Sequence, residues 1–369
     1  MKYIWEHKNW FDFKYDESVL LKPLSGLRVL QGKLLGRVVS LGIKLETEAQ
    51  AQVLVEEAVR TAEIEGQKLN RDAVRSSVAV RLGLPKGVGP HDRNIDGLVD
   101  VLLDAARFHN QPLTLERLNG WHAALFPLGY SGLRKIRAGR LRGDEPMQIV
   151  SGPIGKEKVH FEALPKEQLD LEMRLFLKWW NSSLGRMDGI LRAAGAHLRF
   201  VTIHPYEDGN GRLARVLTDM ALAQDEKLKV RFYSVSSEIM RTRDKYYKIL
   251  EDVQRCRVDP AEWYLWFIKC VTASIEDSQD IIANVFARVD FWNQHAQAQL
   301  NERQKKILNR ILDAGQGKFT GGLTTRKYVG IAKVSRATAF REIADMLEKK
   351  VLRQLPGKGR SVHYDLIWP

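Results

Sequence analysis

Apolar positions along most of this chain recur every three or four residues, the spacing of α-helices with one buried face. Residues 46–65 (ETEAQAQVLVEEAVRTAEIE) add strong helix formers to that spacing and stop at Gly66, a natural C-cap. Asn70 is placed to cap a second helix, RDAVRSSVAVRLG, which ends at Gly83 and Pro85. The stretch LPKGVGPHD (84–92) reads as a loop and a module boundary. Helical spacing returns at 95–108, 114–126, 167–182, 188–203, 212–224, 237–256 and 260–288. One segment breaks the pattern. MQIVSGPIGKEKVHF (147–161) holds two β-prone runs around Gly152-Pro153-Ile154-Gly155, which predicts a hairpin. The polar run QHAQAQLNER after Asn293 predicts a linker. A mainly α protein follows.

The last stretch, 300–369, has its own pattern: a helix at 302–313, a Gly-rich loop, a helix at 324–332, a turn near Val334-Ser335, a helix at 336–350, and a β-like tail, VLRQLPGKGRSVHYDLIW. Helix, short turn, helix and basic hairpin resemble a winged helix-turn-helix. In that arrangement Arg336, Thr338 and Arg341 start the recognition helix, and Lys358 and Arg360 sit at the wing tip. This stretch carries 15 Lys/Arg against 6 Asp/Glu, most of the whole chain's net charge of +13. The surplus predicts a polyanionic partner, duplex DNA through 300–369, with protein docking as the other use of such a module.

Composition narrows the class further. With 369 residues the chain is long enough for two or three domains, read here as 1–92, 93–292 and 300–369. Two cysteines, Cys256 and Cys270, exclude a disulfide scaffold and a cysteine zinc site. The opening MKYIWEHKNW has no apolar signal region, and the most apolar stretch, Trp263 to Ile275, is 13 residues with Lys269 inside it, short of the ~20 a membrane span needs. A cytoplasmic protein with no membrane partner is expected.

Several motifs fail on inspection. Gly26…Gly32-Lys33 has the wrong spacing for a phosphate loop, and Leu34 stands where a magnesium-binding hydroxyl is required. No G-x-S-x-G or H-E-x-x-H sequence occurs. His7, His91, His109, His122, His197, His295 and His363 are scattered and read as surface or packing residues.

HPYEDGNGRLAR (204–215) is different. It follows an apolar helix that ends at Pro205. Gly209-Asn210-Gly211 makes a tight turn whose backbone N–H groups can face a ligand, and a new helix starts near Arg212 with its positive end on the same loop. Amide nest and helix dipole make an anion site. Arg212 and Arg215, three apart, share a helix face and reach that anion. Asp208 is a hard oxygen ligand suited to Mg²⁺ beside it, and His204 is a titratable base at the loop's edge. Base, carboxylate, nest and two arginines within one loop describe a phosphate-transfer site.

That loop resembles the signature of the Fic family (filamentation induced by cAMP), H-P-F-x-D/E-G-N-G-R-x-x-R, departing only at Tyr206. The resemblance extends along the chain: an aromatic-rich N-terminal module (Trp5, Trp10, Phe11, Phe13), a helical Fic core with a β-hairpin flap, and the winged-helix tail. It implies transfer of AMP from ATP to a Ser, Thr or Tyr hydroxyl of a protein, the chain itself included. His204 matches the base, Asp208 the Mg²⁺ ligand between the α- and β-phosphates, and Asn210, Gly211 and Arg212 the phosphate binders. Arg215 matches the γ-phosphate contact, and Tyr206 and Gly209 complete the nucleotide-binding loop. The hairpin falls at the family's flap, so Ile149, Val150, Ser151 and Gly152 are expected to dock an extended target segment. Tyr246 and Tyr247 are candidates for the adenine pocket. A homodimer is a frequent state in the family.

Upstream, Thr61-Ala-Glu-Ile-Glu65-Gly66 resembles the family's inhibitory motif, S/T-x-x-x-E-G/N. A carboxylate in a helix's last turn opposes the dipole, at a few tenths to ~1 kcal/mol. A cationic partner offsets that, and the family supplies Arg215. The expected function is therefore an autoinhibited protein adenylyltransferase. The alternatives are a DNA-binding regulator whose core senses nucleotide or mainly modifies itself, and a Fic enzyme that transfers another phosphate-containing group.

Overall fold

The computed structural model describes residues 2–12, 15–39, 43–85, 89–151, 158–356 and 362–368. The chain separates into two compact units, residues 1–42 with 46–278, and residues 43–45 with 279–369.

The first unit begins with a short 3-10 turn at Ile4–Glu6 and α1, Ser18–Val39, followed by α2, Ile43–Ile64, and α3, Arg71–Arg81. The spacing had not predicted α1, whose interior holds Pro23 and three glycines, Gly26, Gly32 and Gly36. It forms because Leu20, Leu27, Leu34 and Val38 bury one stripe. Its Arg28 also holds Asp188 at 2.7 Å and pairs with Asp225, fastening it to the core. Asn70 caps α3 as the sequence predicts, accepting from the N–H groups of Asp72 and Ala73.

Next come α4, Arg93–Arg107, and α5, Leu115–Leu125, then two short antiparallel hairpins. The first pairs β1, Tyr130–Ser131, with β2, Arg134–Lys135. The second pairs β3, Gln148–Ser151, with β4, Lys158–Glu162, with a register shift between Ile149 and Val150. This second hairpin is the one the sequence predicts. α6, Lys166–Ser183, α7, Gly189–Ile203, and α8, Asn210–Glu226, follow. The expected single helix at 237–256 is broken at Thr242 into α9, Val235–Arg241, and α10, Arg243–Gln254. α11, Pro260–Gln294, runs on into the second unit.

The centre of the first unit is α7 packed on α8. Every residue of α7 is buried, as is most of α8. A helix buried on every side belongs at the middle of a helical domain. The aromatic N-terminal segment packs onto this core: Arg199 of α7 donates to the Phe11 carbonyl (2.7 Å) and stacks on the rings of Phe11 and Trp179. Tyr3 packs edge-on against Phe161 of β4, and Trp5 donates to the Glu162 carbonyl (2.8 Å). Phe13 lies outside the described residues.

In the second unit α12, Glu302–Ala314, α13, Thr325–Ala332, and α14, Arg336–Glu348, surround an apolar cluster of Ile307, Ile311, Tyr328, Ile343 and Met346. Asn301 starts α12 with a full capping box through Gln304. Between α13 and α14 lie Lys333, in the left-handed conformation, Val334 and the N-cap Ser335. β5, Leu352–Gln354, pairs antiparallel with β6, Tyr364–Leu366, and Leu323 bridges to Tyr364 on the other side. Lys358 and Arg360, the expected wing tip, lie outside the described residues. Among the described residues no helix is long and apolar enough to cross a membrane.

Candidate active site

The loop 204–209 joins the two central helices, so the core's rigidity passes directly to it. His204 closes α7 in the left-handed region (φ 51°), a conformation a β-substituted residue adopts at some strain. Arg142 holds it there. This buried side chain donates to the His204 carbonyl (3.0 Å) and to the Leu164 carbonyl, while its own N–H donates to the Pro205 carbonyl (2.9 Å). Asn210 clamps the loop's inside, its amide oxygen accepting from the Tyr206 N–H (2.9 Å) and its amide nitrogen donating to the Tyr206 carbonyl (2.7 Å). Gly209 (φ 78°) starts α8 with no side-chain cap, and a Cβ on it would stand 2.8 Å from the Phe126 ring. The first N–H groups of α8 therefore face outward without a side-chain acceptor of the usual kind.

His204 lines a cleft of about 450 Å³ with Ile149, Val150, Tyr246, Tyr247 and Glu65. Its Nδ1 sits 3.2 Å from the Val201 carbonyl, which only accepts, so Nδ1 bears the proton and Nε2 keeps a free lone pair. Burial, with smaller help from the charge of Arg142, pushes its pKa down to about 4. The imidazole is neutral at physiological pH and ready to accept a proton.

Arg215 is buried, yet fully partnered on one side. Its Nη2 donates to Glu65 Oε1 (2.7 Å) and the Thr61 carbonyl (3.0 Å), and its Nε to the Thr61 hydroxyl (2.6 Å). Burial works against the guanidinium's charge, and Glu65 more than offsets that, so its pKa stands above the ordinary arginine value. Its Nη1 and the Nε of Arg212 are buried with no hydrogen-bond partner among the described residues. Glu65 also lies against the first turn of α8: a Cβ on Gly211 would fall 2.2 Å from its Oε1. The carboxylate thus lies beside the first turn of α8 and is paired with Arg215, where helix dipole and arginine both favour an anion. The end of α2 is fixed by Arg243 and Tyr247, which both donate to the Ile64 carbonyl (2.8 and 3.1 Å).

Residues 112–222 match the Fic/DOC family, and residues 3–84 match a domain of unknown function, DUF4172. The chain carries a Fic/DOC family domain.

Curated relatives of this Fic protein include the protein adenylyltransferases fic-1 of Caenorhabditis briggsae, 35% identical over 78 residues, and of Caenorhabditis elegans, 33% identical over 88 residues. The matches cover 20% and 24% of this chain and 15% of each relative. A Fic domain containing signaling protein from Bacteroides thetaiotaomicron shares the fold, with a TM-score of 0.54 at 17% identity over 70% of this chain and 96% of that one.

Within the Fic protein the structure brings His204, Gly211, Arg215 and Glu65 to one place, with Ile149 and Val150 across the cleft. Asp208 stands at the loop's tip with its side chain 41% exposed, accepting from the Ser131 hydroxyl and the Gly209 N–H. Arg212 lies over the Phe126 ring (4.6 Å) and 4.0 Å from Asp208.

Other expectations need correcting. Tyr206 is not available to a nucleotide: its ring is fully buried, stacked on His122 (4.2 Å), and its hydroxyl donates to Asn119 (2.9 Å). Asn210 has both side-chain groups committed to the loop, so only its backbone N–H can meet a phosphate. Tyr246 is largely a core residue, its hydroxyl bonded to His197 (2.9 Å) and its ring among Trp263 and Trp266, with one edge on the cleft. Tyr247 is more open to the cleft. Ser151 ends β3, and Gly152 lies outside the described residues.

Sequence reasoning missed the loop's outer supports. Arg142, Ser131 and Asn119 come from elsewhere in the chain, and His122 appeared only as a scattered histidine. Its Nδ1 accepts from the Gly139 N–H (2.8 Å), so Nε2 donates to the Asp208 carbonyl (3.1 Å), and burial lowers its pKa to about 4. No local signal marks these residues, because each acts across a long sequence separation.

Proposed function

We propose that this Fic protein transfers AMP from ATP to a protein hydroxyl and is held in check by Glu65. One observation carries the reading: the Glu65 carboxylate is paired with Arg215 and lies against Gly211 in the first turn of α8, where a phosphate of a nucleotide would otherwise sit. The fic-1 relatives are protein adenylyltransferases, which supports it.

The chemistry follows from the groups present. A target segment lying along Ile149 and Val150 brings its hydroxyl into the cleft that His204 lines. The hydroxyl oxygen attacks the α-phosphorus, the bond from that phosphorus to the β-bridging oxygen breaks, and pyrophosphate leaves. The hydroxyl proton goes to Nε2 of His204. The N–H groups of Asn210, Gly211 and Arg212 hold phosphate oxygens, and the guanidinium of Arg215 takes the terminal phosphate once Glu65 has left. The exposed carboxylate of Asp208 suits Mg²⁺, which binds through one or two carboxylates with substrate phosphates and water, and would neutralise charge there.

A second reading concerns the second unit. Two helices joined by a three-residue turn, followed by a hairpin to which Leu323 adds a bridge, support a winged helix-turn-helix that binds duplex DNA. Arg326, Lys333, Arg336 and Arg341, on α13, the turn and α14, are all exposed.

Incubation with ATP, UTP and GTP labelled at the α-phosphate, followed by mass mapping of the modified residues, tests the first reading. AMP on a hydroxyl, lost with His204→Ala, is expected. Transfer of another group, or labelling that survives His204→Ala, refutes it.

A further inference from the structure

The helix α14 buries Ala339, Glu342, Ile343 and Met346. Its opposite face, at helical spacing, presents Arg336, Ala337, Phe340, Arg341 and Ala344, all exposed. Phe340 is 63% exposed, more than any other aromatic residue described. The alanines three before and four after it leave the ring standing clear of the helix.

Charge says what this face meets. Two of the three acids of α14 are already engaged, Glu342 with Arg303, Tyr328 and Asn301, and Asp345 with Lys349 and Gln304, while Glu348 is exposed at the helix's last residue, seven positions beyond Arg341. Arg336 and Arg341 form no ion pair among the described residues, so their charges are left to an outside anion. A lone aromatic ring between two uncompensated arginines matches a surface of apolar spots set between rows of phosphates. The major groove of duplex DNA is such a surface: it is about as wide as a helix, and each thymine places a C5-methyl on its floor.

We propose that Phe340 reads thymine methyl groups in the major groove, with Arg336 and Arg341 on the flanking phosphates or guanine edges. This rests on the DNA-binding reading of the second unit. It names the side chain that supplies sequence preference, which phosphate contacts alone do not give.

The test separates the two claims. Duplexes enriched by the full-length protein from a random-sequence pool are resynthesised with uracil in every thymine position, which removes only the methyl groups. Wild-type affinity should fall roughly fourfold for each contacted methyl, the worth of one buried methyl-sized group. Phe340→Ala should bind the thymine duplex as weakly as wild type binds the uracil duplex, with no remaining difference between the two. Arg341→Ala should weaken both duplexes alike and lower the salt slope by about one phosphate. Because Phe340 is exposed, its alanine variant should melt as wild type does. Equal wild-type affinity for the two duplexes, or a thymine preference that survives in Phe340→Ala, overturns the inference while leaving DNA binding standing. No binding to either duplex at low salt removes the DNA-binding reading itself.

Discussion

Replacing Glu65 by glycine should lower the stability of the nucleotide-free protein and raise its transferase activity together. The stability loss follows from the contacts. Stripping one partner from a buried ion pair costs ~3–5 kcal/mol. Here Glu65 keeps its side chain 30% exposed, and Thr61 still holds Arg215 through two hydrogen bonds, so about 1–3 kcal/mol is expected. Each kcal/mol lowers the melting midpoint of a unit this size by ~2–4 °C. Activity moves the other way. On the proposed mechanism Glu65 repels the triphosphate and occupies the arginine that would hold its end, which displaces the α-phosphate from the line of attack. A misplacement of about 1 Å costs ~10²-fold in rate, so activation of about that size is expected. The assay is self-labelling by ATP carrying label at the α-phosphate, alongside melting curves with and without ATP and Mg²⁺. ATP should restore the midpoint of Glu65→Gly far more than it shifts the wild type. Equal labelling of the two proteins refutes the reasoning, as does labelling that persists when His204→Ala is added to Glu65→Gly.

Three further outcomes are expected. His204→Ala, measured by nucleotide binding and by transfer in the Glu65→Gly background, should keep nucleotide affinity and lose at least ~10²–10⁴-fold in rate. Thr61→Val removes the acceptor of Arg215 Nε and should give partial activation, below that of Glu65→Gly, in the same labelling assay. The third concerns acid. His122 and His204 are pushed down to about 4 and His197 to about 3, all chiefly by burial, so the folded state excludes their protons. Above about pH 6.5 folded and unfolded chains are equally neutral there. As pH falls below that value the unfolded chain takes up protons the folded chain refuses, so chemical-denaturation midpoints should decline steadily towards pH 4.

Much of this was legible in order along the chain, because helix spacing and caps are local. Asn70 capped α3 where predicted, and Lys333 to Ser335 made the turn between α13 and α14. The loop at 204–215 was legible for the same reason: its histidine, glycines and arginines lie within twelve consecutive residues. What escaped was either locally contradictory or remote. α1 carries glycines and a proline that propensity counts against, and burial of its leucine stripe overrides them. Tyr206 looked like a ligand contact because of its neighbours, but an aromatic ring beside a buried His122 is worth more in the core than at the cleft. Arg142, the strap of the loop, acts across 62 residues and has no motif of its own.

The placement of Glu65 also sets how the lock can be opened. A tethered anion competes with a free one as if present at about millimolar concentration or more, and higher when the tether is rigid. Glu65 sits at the end of a helix whose last carbonyl is held by Arg243 and Tyr247, so its tether is rigid. ATP must displace it, and ATP shifts the balance only by what it gains in the open state over the closed one. Raising the nucleotide concentration is therefore a poor way to activate this protein. Loosening the end of α2 is an effective one, since weakening the Ile64 anchors lowers the effective concentration of the carboxylate without touching His204, Arg215 or the first turn of α8. Tyr247→Phe removes one of those anchors while leaving Glu65, Arg215 and His204 in place. Its labelling should exceed that of wild type and fall short of Glu65→Gly; labelling no greater than wild type would mean that the helix end is held elsewhere.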